Sequence, residues 1–179
     1  MQSIRLLISF ALLFNAAVMS TRAEPSGEFR LGLLAADLEH GRSGEYVVNA
    51  ELVSAHIRGE EPTTIRESLF NPRLHLGASL ATKSRGVDQV YAGLTWDHML
   101  SDAFFVETSF GGTVHNGETA SNNPDSYGCN LLFRESLSLG LAVSERLRLL
   151  ATVSHMSNAG LCDENQGMTN AGVRLGYRW

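Results

Sequence analysis

Read for a period of two, the chain resolves into eight segments of about ten residues, each apolar on one face and small or polar on the other. The first is Phe29 to Asp37, with Phe29, Leu31, Leu33 and Ala35 on one side. In the second, Tyr46 to Ala55, Tyr46, Val48, Ala50 and Leu52 oppose Asn49 and Glu51. The third sets Leu74, Leu76, Ala78 and Leu80 against Arg73, His75, Gly77 and Ser79, and the fourth sets Val90, Ala92, Leu94 and Trp96 against Gln89, Tyr91, Gly93, Thr95 and Asp97. The fifth alternates Phe104, Val106, Thr108 and Phe110 with Phe105, Glu107, Ser109 and Gly111. The last three are the clearest: Asn130 to Leu141, the segment opening at Leu147, in which Leu150 is an exception, and Asn170 to Trp179.

In a soluble sandwich the outward face would be rich in Lys and Glu. Here the second face is Gly, Ser, Thr and isolated charges, which suits the crowded polar interior of a small barrel whose apolar wall meets lipid. The pattern therefore predicts an all-β fold, an eight-stranded antiparallel transmembrane β-barrel of the outer membrane. A soluble lipocalin-like barrel is the weaker alternative. With both termini in the periplasm, the tight connections His98 to Asp102 and Ser144 to Arg146 fall on the periplasmic side, and Asn116 to Tyr127 and Asn158 to Gly167 fall outside. Ile57 to Phe70 is a longer periplasmic connection with room for a short helical turn and charges that read as solvated surface.

The start of the chain supports export. Arg5 precedes the apolar run Leu6 to Met19, and Thr21-Arg22-Ala23 offers small residues where a signal peptidase inspects them, so residues 1–23 are expected to be a signal peptide and 24–179 a single barrel domain. The run is too short and wrongly flanked for a spanning helix, and no later segment approaches the ~20 apolar residues that one needs. The 179 residues are 44% hydrophobic with a formal charge of −5, which gives no sign of nucleic acid as a partner. Cys129 and Cys162 are the only cysteines. In a chain that leaves the reducing cytoplasm they are expected to form a disulfide.

Polar residues interrupt the greasy face in two places. Continuing Leu149, Ala151 and Val153 gives His155 and then Ser157, and between Phe133 and Leu137 stands Glu135. Odd residues share a face on both strands, so they must pair odd with odd. A three-residue loop, Ser144 to Arg146, sets Val143 opposite Leu147. Counting back pairs Leu139 with Ala151, Leu137 with Val153 and Glu135 with His155, and places Cys129 beside Cys162. Carboxylate, imidazole and hydroxyl on adjacent positions are the parts of an acyl-transfer triad, in which the acid orients the histidine and the histidine deprotonates the serine. A buried or lipid-facing carboxylate is costly without a partner, which favours a functional reading. The plainer readings stay open: an interfacial histidine, a turn-forming serine, a glutamate reaching to the headgroups.

His155-Met156-Ser157-Asn158-Ala159-Gly160, followed by Asn165-Gln166-Gly167, resembles the H-x-S-N signature and downstream N-x-G of the lipid A 3-O-deacylases of the outer membrane. The resemblance is specific over roughly the last fifty residues and rests upstream on barrel pattern alone. It implies an eight-stranded barrel with its active site on the lipid-facing wall, removing the 3-position acyl chain of lipid A by a Ser-His-acid mechanism. It further implies His155 as general base, Ser157 as nucleophile and Asn158 as a candidate to orient the substrate or the oxyanion. The chain departs from the family at one place: the family's glutamate falls where this chain has Thr169. Glu135 is expected to replace it from the neighbouring strand, while Asp163 and Glu164 read as solvated loop acids.

The expected activity is that of a carboxylic ester hydrolase acting on lipid A or lipopolysaccharide in the outer leaflet. No Cys/His cluster of metal-ligand spacing and no Gly-rich phosphate loop stands in the sequence, so no cofactor and no metal site is expected, with calcium on the outer loops and a homodimer left open. The rivals are a non-enzymatic adhesion or structural barrel, and a phospholipase or acyltransferase on the same fold.

Overall fold

The computed structural model describes residues 26–39, 45–84, 86–120 and 125–179. The expected signal peptide lies outside the described residues. Eight strands, β1 (Gly27–Ala35), β2 (Tyr46–His56), β3 (Arg73–Ala81), β4 (Gln89–Met99), β5 (Phe104–His115), β6 (Leu131–Ala142), β7 (Leu147–Ser157) and β8 (Met168–Arg178), pair antiparallel in chain order. β1 closes the barrel against β8, with Leu31 opposite Leu175. Each strand lies within two or three residues of its predicted segment at most ends, and β5 runs on to His115.

The alternation read from the sequence is the alternation of inside and outside. Phe29, Leu31, Leu33, Leu52, Leu74, Leu76, Val90, Phe110, Leu137, Leu139, Val153, Val173 and Leu175 are exposed around the wall. A belt of that extent is stable only against hydrocarbon, so the wall is a membrane-spanning surface. Trp96, Phe104, Tyr177 and Trp179 gather at the short-turn end, where aromatic rings suit a membrane interface.

At the centre of the lumen the charged side chains are joined in a network. Arg30 is fully buried; its Nε donates to Glu28 at 2.7 Å, and its terminal nitrogens fork onto Glu107 at 2.7 and 2.6 Å. Arg174 pairs with Glu51, while Arg73 and Arg148 reach Glu28 at 3.1 and 3.5 Å. Aromatic rings fill what the charges leave. Tyr91 packs against Gly77 and Phe105 against Gly140, each ring where a Cβ would stand, and the guanidinium groups of Arg134 and Arg148 lie over the two rings. Above the network, Val87, Tyr127, Leu132, Met156 and Met168 form an apolar plug beneath the long loops.

The connection between β2 and β3 contains the expected helical turn, α1 (Ile65–Phe70), begun by a capping box between Thr64 and Glu67. It docks on the outer wall: Trp96 Nε1 donates to the Leu69 carbonyl at 3.1 Å, and Ser68 Oγ lies 3.2 Å from His98 Nδ1. Ile65, Leu69 and Phe70 are left exposed beside the belt, so the connection is an apolar shelf as well as a solvated surface.

Candidate active site

The register counted from the Ser144–Arg146 turn is the register observed. Glu135 faces His155, Leu137 faces Val153 and Leu139 faces Ala151, with Phe133 opposite Ser157. On β7 the neighbours Ser154 and Met156 are buried in the lumen, whereas His155 and Ser157 are half-buried on the outer wall at the long-loop end. The two stand about 6.7 Å apart along the strand, the spacing of an i, i+2 pair. Among the described residues no hydrogen bond joins them; catalytic contacts of this kind commonly tighten only around substrate.

The carboxylate nearest the imidazole is not Glu135. His155 Nδ1 lies 2.8 Å from Thr169 Oγ1, across the other ladder, where Thr169 of β8 is its partner. Thr169 Oγ1 donates in turn to Glu39 Oε1 at 2.5 Å, and that oxygen is 3.6 Å from His155 Nδ1. Glu135 keeps its place across the β6–β7 ladder, exposed, with no hydrogen bond to His155. Glu135, expected to stand in for the missing glutamate, thus faces His155 without bonding it here: the ring turns its Nδ1 towards β8, and the connection that follows β1 brings the carboxylate of Glu39 to that side. A threonine hydroxyl has one proton, and an ionised carboxylate can only accept it. Thr169 thus receives the Nδ1 hydrogen of His155, which leaves Nε2 unprotonated, the tautomer a general base needs.

The downstream Asn-x-Gly element has two mechanical roles. Asn165 Oδ1 accepts the backbone N–H of Asn158 at 2.9 Å, fixing the chain directly after Ser157. Gly167 has φ +67°, and a Cβ there would stand 3.0 Å from Cε1 and 3.4 Å from Nε2 of His155. Glycine is thus required both by its backbone and by the ring that packs against it.

Asn158 is only 2% exposed, and its amide is spent on the loops. Nδ2 donates to the carbonyls of Tyr127 and Glu164 at 2.9 and 2.5 Å, while Oδ1 accepts from Gly160 at 2.8 Å. Both amide hydrogens are engaged, so in this arrangement the Asn158 side chain braces the loops that border the site. The disulfide between Cys129 and Cys162 forms as expected, with Cα atoms 6.2 Å apart, and staples the loop after β5 to the loop after β7. Replacing both cysteines by alanine is expected to lower the unfolding free energy by about 3 kcal/mol. Chemical unfolding of the refolded barrel in lipid checks this.

Beside Ser157 the wall is hollowed. Phe110, Gly112, Leu131, Phe133, Leu161 and the disulfide line an open groove of about 480 Å³ whose exposed surface is almost wholly apolar. Gly112 leaves the wall bare between Ala92 and Phe133, its partners on the neighbouring strands, and Phe110 stacks on Phe133 at 5.9 Å along the groove's edge. Among the described residues no group of His, Cys, Asp and Glu is placed to hold a metal ion.

These features meet known proteins at two levels. The family model described as "Lipid A 3-O-deacylase (PagL)" matches residues 99–178. The crystal structure of the outer membrane enzyme PagL superposes with a TM-score of 0.65 at 16% identity, covering 84% of this chain and 98% of that one. The N-terminal β-barrel domain of Pseudomonas aeruginosa OprF (TM-score 0.57, 10% identity, 87% and 98% covered) and a de novo designed transmembrane β-barrel (0.54, 10%, 87% and 97%) share the architecture without its polar patch being at issue. At such identities the superpositions speak for the fold alone. No curated protein sequence matches. The chain thus carries the pattern of the lipid A 3-O-deacylase family over residues 99–178, the part that holds His155 and Ser157, on an outer-membrane barrel fold.

Proposed function

We propose that this barrel is an esterase that removes the ester-linked 3-position hydroxyacyl chain of lipid A in the outer leaflet. The observation that carries the reading is the pairing of His155 and Ser157 on the bilayer-facing wall, at the edge of an apolar groove, inside the segment that matches the deacylase family. In this reading the long-loop end faces outwards, where lipid A resides.

Ser157 Oγ attacks the ester carbonyl carbon while His155 Nε2 takes its proton. Collapse of the tetrahedral intermediate breaks the bond to the sugar oxygen, which leaves with the proton returned by the imidazolium. The acyl chain, now on Ser157, is transferred to a water deprotonated by the same nitrogen, giving a free hydroxy fatty acid and regenerating the hydroxyl. The groove beside Phe133 would hold the acyl chain during both steps. Placing the site on the wall also avoids extracting the substrate, whose tails would each cost about 0.8 kcal/mol per exposed CH₂.

Purified, refolded protein mixed with lipid A in detergent micelles is expected to release one 3-hydroxy fatty acid per lipid. Release from phospholipid instead would assign a phospholipase, and transfer to a second lipid an acyltransferase. No release from either would favour a non-enzymatic barrel.

A further inference from the structure

We infer that Glu39, acting through the Thr169 hydroxyl, is the carboxylate that positions and stabilises His155, so that the acid of this site is supplied by the first long loop rather than by a strand beside the serine. The inference rests on the esterase reading of Ser157. Glu39 is a positioning residue: it touches neither substrate nor the reacting atoms.

Two hydrogen bonds and one backbone turn seat the chain after β1. The Leu38 N–H donates to the Thr169 carbonyl at 2.9 Å, beyond the end of β1 and one residue out of the β1–β8 register. One residue earlier, the Asp37 N–H donates to Asn170 Oδ1 at 3.0 Å. Asp37 itself has φ +52°, a left-handed conformation that Asp tolerates better than most non-glycine residues, and beyond this turn Glu39 comes over the outer wall. The result is a bent chain of contacts from Glu39 Oε1 to Thr169 Oγ1 to His155 Nδ1, at 2.5 and 2.8 Å, folded at the hydroxyl so that the carboxylate oxygen also lies 3.6 Å from Nδ1.

The chemistry of this chain of bonds is asymmetric. When Nε2 takes the serine proton, the ring becomes a cation, and both its orientation and its charge must be held at the edge of a low-dielectric medium. Threonine supplies the orientation, because its hydroxyl accepts from Nδ1, but it has no charge. Glu39, 3.6 Å from Nδ1, supplies the charge and fixes which way the hydroxyl points. His155 and Glu39 retain 30% and 45% side-chain exposure, so solvent screens the pair and its effect on rate falls below that of a fully buried acid.

The test is steady-state kinetics on lipid A with the full-length barrel in detergent, each variant first shown to fold by its heat-modifiable mobility. Glu39→Gln is expected to lower kcat roughly 10- to 100-fold with KM little changed, at or below the ~10²–10⁴-fold worth of general-base catalysis. Thr169→Val should fall similarly and Thr169→Ser should stay near wild type, because only the hydroxyl matters. Adding Thr169→Glu to Glu39→Gln should recover most of the loss, since a carboxylate at that position reaches Nδ1 directly. Unchanged kcat in Glu39→Gln, with Ser157→Ala inactive, overturns the relay and leaves the esterase reading standing; a loss confined to Glu135→Gln would return the role to β6. If wild type is as inert as Ser157→Ala, the relay falls together with the reading beneath it.

Discussion

Ser157→Ala is expected to abolish acyl release, lowering kcat by on the order of 10³-fold or more, because an acyl-enzyme cannot form without the hydroxyl. Ser157 is half-buried on the outer wall and makes no side-chain hydrogen bond among the described residues, so the barrel should keep its stability. His155→Gln should be comparably inactive, since Gln can occupy the space and still bond Thr169 but cannot accept a proton. The double variant should be no slower than either single one, as groups that act in one step are not additive. Release of 3-hydroxy fatty acid followed over time checks all three. Residual activity within tenfold of wild type in Ser157→Ala would mean that another group is the nucleophile.

Arg30→Ala is expected to destabilise the barrel by about 3–5 kcal/mol without touching the site, because it strands carboxylates in a closed lumen. Arg30 is bonded to Glu28, Glu51 and Glu107, all of them almost completely buried. Glu28 and Glu51 keep other arginines, whereas Glu107 has only Arg174 left, at 3.6 Å. The double replacement Arg30→Met with Glu107→Leu should therefore cost less than Arg30→Met alone, since it removes the carboxylate left with the poorest compensation. Urea unfolding in lipid vesicles, followed by the fluorescence of Trp96 and Trp179, measures both. An Arg30→Ala barrel as stable as wild type would show that water enters the lumen and solvates the acids.

What the sequence reveals depends on how local the physics is. The period-two alternation fixes which side of the wall each residue faces, and the tight turn at Ser144–Arg146 fixes one hairpin's register, so Glu135 opposite His155 and Cys129 near Cys162 could both be counted. Closure of the barrel is not local. Thr169 and Glu39 are 130 residues apart and meet because β1 pairs with β8, a contact that no turn encodes. Continuing that ladder beyond Ala35 and Ala171 brings residue 37 to residue 169, so the signal exists once the closing register is known. The charge network of the lumen is hidden in the sequence for the same reason. Glu28, Glu51 and Glu107 each look like single polar residues in separate strands, and only closure gathers them around Arg30. Asn158 is a different case, because its motif position says that it matters while its amide points into the loop clamp.

The central claim, that a polar pair on the membrane-facing wall cleaves a lipid A ester, is tested most directly by mass spectrometry of lipid A from cells producing the wild-type barrel or Ser157→Ala. The wild type should yield lipid A lighter by one hydroxyacyl chain, and the serine variant should yield the intact species. Identical spectra from folded wild type and variant in the same membrane would contradict it.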